Sequence, residues 1–154
     1  MLYSELRPLC RMLSEADFHI TIETSGTLYL PLACDLVSIS PKLANSTPSY
    51  LQSPRWHHRH EQSRHTPEIV RQLIREHDYQ LKFVVDKQSD LDDIQEYLAP
   101  FPEINRDKVY LMPQGIEHDE LLKIGAWLED ACQENGFRFC PRKQIEWFGP
   151  IRGT

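Results

Sequence analysis

The feature that most constrains this chain is an alternation of short β-rich runs with stretches of helical periodicity. Phe18–Ile22 and Leu36–Ser40 read as strands, the second stopped by Pro41. Leu81–Val85, Val109–Met112 and Phe137–Phe139 are three more. Leu6, Leu9, Met12 and Leu13 precede the first strand at helical spacing, with Pro8 placed to be a first helical residue. Thr66-Pro67-Glu68 announces a helix carrying Ile69, Val70, Leu73 and Ile74 on one face. Ser89 is positioned to cap another, with Leu91, Ile94 and Leu98 inward. A fourth runs from Asp119 to Glu134, striped by Leu121, Ile124, Leu128 and Ala131, and Asn135-Gly136 stops it. The order helix, strand, strand, helix, strand, helix, strand, helix, strand predicts an α/β fold on a mostly parallel sheet.

Composition narrows the class. With 154 residues, 40% of them hydrophobic and 26% charged, the chain can bury a core. We expect a single domain over 1–154. Residues 43–66, rich in Ser, Pro, His and Arg, are expected to form an irregular loop. A net charge of -6 argues against nucleic-acid and anionic-membrane partners. No apolar run approaches the roughly 20 residues of a membrane span, and nothing at the start reads as a signal peptide. Cys10, Cys34, Cys132 and Cys140 are scattered, as reduced thiols of a cytoplasmic protein are.

In parallel α/β folds ligands bind beyond the carboxyl ends of the strands. Three strands here end in polar, turn-rich segments: Glu23-Thr24-Ser25-Gly26, Ser40-Pro41-Lys42 and Pro113-Gln114-Gly115. Hydroxyls, an ammonium and an amide at one rim would suit a cofactor bearing hydroxyl and carboxylate groups. The competing reading is that these residues only make turns and caps. In the 43–66 stretch, His57, His58, His60 and His65 lie among Arg55, Arg59 and Arg64. Those arginines would repel a divalent cation, and Glu61 alone could complete a ligand set, so a flap over a carboxylated substrate is favoured over a metal site.

Ile22-Glu23-Thr24-Ser25-Gly26-Thr27, Val37-Ser38-Ile39-Ser40-Pro41-Lys42, Leu81–Val85 and Leu111-Met112-Pro113-Gln114-Gly115 occur in this order. Together they resemble the strand-end motifs of the 7-carboxy-7-deazaguanine synthase family of radical S-adenosylmethionine (SAM) enzymes. The tail resembles one branch of that family, from Phe137-Arg138-Phe139-Cys140-Pro141-Arg142 through Trp147-Phe148-Gly149 to Arg152-Gly153-Thr154. The likeness covers nearly the whole chain and corresponds to the C-terminal two-thirds of the family. It implies a partial (β/α) radical-SAM barrel of mostly parallel strands, with the first two strands missing. It also implies SAM contacts at Ser40, Pro41 and Lys42, and a second contact at Met112, Pro113, Gln114 and Gly115. Thr24 and Ser25 would line the same rim, and Glu23 would face substrate or cap a helix.

The resemblance further implies a [4Fe–4S] cluster on a three-cysteine loop, a Gly-Gly-Glu-Pro motif, and Mg2+. Neither motif occurs in these residues, and Met1 is expected to be an internal methionine of a longer protein. The implied reaction converts 6-carboxy-5,6,7,8-tetrahydropterin to 7-carboxy-7-deazaguanine with loss of ammonia, on the route to queuosine and other 7-deazaguanines. Members are usually homodimers. The 154 residues as they stand are expected to be inactive, marginally stable and open to association along the strand at 18–22. Two alternatives stand beside this reading: a non-catalytic remnant or partner-binding fragment, and a radical-SAM activating enzyme of another branch.

Overall fold

The computed structural model describes residues 2–64 and 66–150. Contacts divide the chain into two compact units, one of Met1–Lys42 with Thr47–Leu81 and one of Leu43–Ser46 with Lys82–Thr154.

In the first unit, α1 (Leu2–Glu15) runs through Pro8 instead of starting there. Proline has no N–H, so the helix forgoes one bond at that turn. Burial offsets the loss. Cys10 packs with Ile20 and Leu32, flanked by the partly buried Leu6, Leu13, Leu30 and Cys34. β1 (Thr21–Thr24) lies parallel to β2 (Leu36–Ile39), with Glu23 opposite Ser38 and Thr24 opposite Ile39. β2 then pairs in parallel with the start of β3 (Tyr79–Val85), Ser38 opposite Gln80 and Ile39 opposite Leu81. Val37, Ile39 and Leu81 are buried, as β-branched and aliphatic residues of an interior parallel strand should be.

The 43–66 stretch is more regular than its composition suggests. It holds a 3-10 turn at Ala44–Ser46 and the helix α2 (Pro54–Ser63). Pro54 occupies the first helical turn, where a missing N–H costs nothing. The helix lacks an apolar stripe, which is why periodicity does not reveal it. His57 Nδ1 lies 2.9 Å from the Pro48 carbonyl oxygen, and His60 Nδ1 lies 3.1 Å from Thr47 Oγ1. The Tyr50 ring meets His57 and His58 edge-on, each at 5.5 Å. His65 lies outside the described residues. α3 (Pro67–Glu76) follows and buries Val70 and Leu73.

The second unit continues β3 and adds α4 (Asp90–Leu98), β4 (Val109–Pro113), α5 (His118–Asn135), β5 (Arg138–Phe139) and α6 (Lys143–Phe148). Phe83, Val85, Ile94, Val109, Leu111 and Leu128 are fully buried and form its core. The Phe83 and Tyr97 rings meet edge to face at 5.4 Å. α5 ends at Gly136, whose φ of 69° suits a left-handed cap. The sheet order is β1-β2-β3-β4-β5, all strands parallel, so β1 is an edge strand among the described residues. The α/β reading holds. The C-terminal helix α6 is an addition to it, and Arg152-Gly153-Thr154 lies outside the described residues.

Asp90 is the one charged residue among the buried ones described. Its Oδ2 accepts from Asn45 Nδ2 at 2.9 Å and from the backbone N–H groups of Asp86 at 2.8 Å and Lys87 at 3.3 Å. One carboxylate thus ties the loop after β3 to the turn three residues beyond Lys42. Asp90→Ala would strand those donors and is expected to cost about 2 kcal/mol in urea unfolding. A loss under about 0.5 kcal/mol, the range of ordinary surface substitutions, would show that the carboxylate does not hold the loop.

Candidate cofactor-binding rim

The carboxyl end of β1 turns sharply at Gly26, where φ is 76°. The Gly26 N–H donates to Thr24 Oγ1 at 3.1 Å, and the Thr66 hydroxyl donates to the Gly26 carbonyl at 2.8 Å. Ser25 Oγ and Thr27 Oγ1 share a 3.0 Å hydrogen bond. The Thr24 hydroxyl therefore serves the turn, which supports the turn-making reading for this residue. The end of β2 is fastened to the same turn, because the Ser40 N–H donates to the Thr24 carbonyl at 2.7 Å. Pro41 is buried, Ser40 is half-buried and Lys42 is exposed. Within the first unit, parallel pairing thus brings Thr24 and Ser25 together with Ser40, while Pro41 anchors the step that carries Lys42 outward. Glu23 is exposed on β1, and the N-caps of α2 and α3 are Ser53 and Thr66, so it caps neither.

In the second unit, β4 ends at buried Pro113, preceded by half-buried Met112 and followed by exposed Gln114. Gly115 has a φ of 123°. The Gln114 N–H donates to the Val85 carbonyl at 2.7 Å, continuing the ladder past the strand end. Arg142 then clasps the segment: its Nε donates to the Pro113 carbonyl at 2.9 Å and its Nη2 reaches Gln114 Oε1 at 3.4 Å. Arg142 does not stand out in the sequence, where it is one residue of a tail motif. Only the fold shows what it touches.

The donor set after β2 fits SAM in kind: a half-buried hydroxyl suits a ribose, and an exposed ammonium suits a carboxylate. The cysteines do not fit an iron–sulfur cluster, because among the described residues Cys10, Cys34, Cys132 and Cys140 form no group of three that could hold a metal. Burial pushes the Cys34 thiol up from its ordinary value, with Cys10 and Asp35 adding to the effect. Burial also pushes Cys132 up to about 11, and Glu129 reinforces it. Among the described residues no group of three or more His, Cys, Asp or Glu could hold a metal ion. Among the described residues no helix is long and apolar enough to cross a membrane.

Two predictions follow from this geometry. A Cβ on Gly26 would sit 3.0 Å from Ile39 Cγ2 and 3.1 Å from Val70 Cγ2, on a backbone that side chains rarely adopt. Gly26→Ala should therefore lower stability by about 2 kcal/mol or more, measured by chemical denaturation, and an unchanged midpoint would refute the turn's tightness. Cys132 keeps its proton in the fold well past its ordinary value of 9.0, whereas the unfolded chain releases it there. Its stabilising contribution is thus complete below pH 9.0 and is lost as the pH rises towards about 11. Thermal melts of the protein and of Cys132→Ala should converge across that window, and parallel curves would contradict the buried neutral thiol.

Curated relatives align with this sequence along most of its length. The chain is 43% identical over 147 residues to the 7-carboxy-7-deazaguanine synthase of Rhodopirellula baltica, covering 95% of this chain and 57% of that protein. It is 34% identical to the 7-carboxy-7-deazaguanine synthase of Halobacterium salinarum, covering 94% of this chain and 60% of the relative. The synthase of Pyrobaculum aerophilum is 30% identical, covering 87% and 54%. No protein-family model matches the chain. The crystal structure of QueE from Escherichia coli superposes with a TM-score of 0.58 at 21% identity, over 89% of this chain and 50% of that one, and shows the shared fold. The chain therefore spans between 54% and 60% of the length of these curated relatives, a little under the two-thirds expected. By sequence and by fold, the chain belongs to the 7-carboxy-7-deazaguanine synthase family, as a partial span of it.

Proposed function

We propose that the chain is the rim-bearing part of a radical-SAM enzyme that converts 6-carboxy-5,6,7,8-tetrahydropterin to 7-carboxy-7-deazaguanine with loss of ammonia. The observation that carries this reading is 43% identity to a protein named for that product over 95% of the chain. It agrees with the placement of Ser40 and Lys42 at the carboxyl end of β2, where a parallel α/β fold takes its ligand.

In this reading Ser40 donates to or accepts from the ribose hydroxyls, and Lys42 neutralises the methionine carboxylate. Pro41, buried between them, fixes the backbone so that little freedom is lost on binding. Met112, Pro113, Gln114 and Gly115 contact the cofactor through backbone groups, the Gln114 amide already being engaged by Arg142. Thr24 and Ser25 shape the rim by holding the Gly26 turn.

When bound with its [4Fe–4S] cluster, SAM supplies the radical chemistry and Mg2+ assists the ring contraction. Among the described residues no group of three or more His, Cys, Asp or Glu would hold either metal group. The 154 residues alone are expected to turn over no substrate, because the three-cysteine loop that the resemblance calls for does not occur in them. The working protein is proposed to be a cytoplasmic homodimer.

Titration calorimetry of the chain with SAM tests the rim directly. Binding should be measurable, and Lys42→Ala should weaken it about tenfold, the worth of one charge-assisted contact. A folded chain that shows no binding, or a Lys42→Ala variant indistinguishable from the parent, would remove the assignment.

A further inference from the structure

The segment between α4 and β4 lines a cavity of about 340 Å³ at the amino end of β4, the opposite end from Pro113-Gln114-Gly115. Leu98, Phe101, Pro102 and Ile104 form its apolar wall, and Gln95 and Arg106 are its polar lining. Leu98, Phe101 and Ile104 are buried, so this wall is part of the core of the second unit. Protein interiors keep few voids larger than a water molecule, whereas this volume is that of a small-ligand pocket.

Arg106 is held in place by the fold itself. It opens the turn Arg106–Lys108, which Asn105 Oδ1 caps by accepting from the Asp107 N–H at 3.0 Å. Its Nη1 donates to the Asn135 carbonyl at 3.1 Å, and its Nη2 donates to Gln95 Oε1 at 3.3 Å. Gln95 is fixed in turn, its Nε2 donating to Asn135 Oδ1 at 2.7 Å. The guanidinium carbon lies 5.2 Å from the centre of the Phe137 ring. Both acceptors are neutral amide oxygens, so neither cancels the charge, and the guanidinium has five N–H groups to offer. Arg106 is exposed, so an incoming anion meets it at the mouth of the cavity. An arginine that only clamped α4 to α5 would need no cavity beside it.

We propose that this cavity binds a small aromatic carboxylate. The ring lies against Leu98, Phe101, Pro102 and Ile104, and the carboxylate pairs with the preset guanidinium of Arg106. At the rise of a β-strand, Val109 to Pro113 spans roughly 13 Å, so the ligand stays clear of the carboxyl-end rim. It occupies a second, effector-type site, and this inference does not depend on the functional reading above.

The probes are 1-naphthoate and its uncharged counterpart 1-naphthamide, titrated into the chain and followed by fluorescence and by backbone amide NMR shifts. The carboxylate should bind at one site, at least about tenfold more tightly than the amide. Arg106→Leu should weaken the carboxylate at least about tenfold and leave the amide within about twofold. Ala99→Trp, a larger side chain on the cavity lining, should weaken both probes. Circular dichroism confirms that each variant is folded. The shifted amides should cluster at Leu98, Phe101, Ile104 and Arg106. No saturable binding, equal affinity for the two probes, or parent-like naphthoate binding in folded Arg106→Leu would overturn the proposal. Shifts clustered at Ser25, Ser40 and Lys42 would also overturn it, since they place the anion on the rim. Should Arg106→Leu fail to fold, Ala99→Trp carries the test, and unchanged binding there has the same meaning.

Discussion

Everything at the candidate site depends on the parallel pairing of β1, β2 and β3. Parallel strands all point one way, so their carboxyl ends meet at one edge and their unpaired backbone groups collect there. The 2.7 Å bond from the Ser40 N–H to the Thr24 carbonyl is the last rung of that ladder. It joins the Gly26 turn to the Ser40-Pro41-Lys42 segment. Had β2 run the other way, Ser40 and Lys42 would sit at the far end of β1 from Thr24 and Ser25. Direction, more than composition, makes the rim.

Two further devices hold the ends of the strands. In the second unit the buried Asp90 carboxylate collects the amides of Asp86 and Lys87 and the side chain of Asn45. It fixes the loop after β3 and the turn at Ala44–Ser46 by charge-assisted bonds, which are worth more in a dry interior than in water. Arg142 does the equivalent after β4, spending its guanidinium on the Pro113 carbonyl and the Gln114 amide. Both are cases of one charged side chain immobilising backbone that would otherwise be loop, which is what a preorganised ligand site needs.

Much of the fold was legible in the sequence, because periodicity survives wherever one face is buried. β2, β3 and β4 and the helices α3, α4 and α5 stand within a few residues of where their apolar pattern puts them. β1 begins three residues later than its hydrophobic run, since the Ile20 N–H donates to the Asp35 side chain and not to a strand carbonyl. α2 was hidden because a helix of Arg, His and Gln carries no stripe, and α1 was misread at its start because Pro8 is far more often a first residue than an interior one. The site divides in the same way. Ser40 and Lys42 are proposed from their motif and the turn role of Thr24 is a local pattern, whereas the clasp by Arg142 and the burial of Asp90 depend on contacts 29 and 45 residues apart that no local pattern encodes.

The relatives add what local physics cannot, a chemistry to go with the rim. They are matched over 54% to 60% of their length, so the activity of a whole synthase is carried to this chain as a proposal about its part in it. The central proposal is that the carboxyl ends of β1 and β2 contact SAM, and hydrogen exchange tests it most directly. With saturating SAM, the amides of Ser25, Ser40 and Lys42 should slow by more than those of α3 and the amino ends of the same strands. Protection spread evenly over the chain, or confined to segments away from the carboxyl ends, would contradict it.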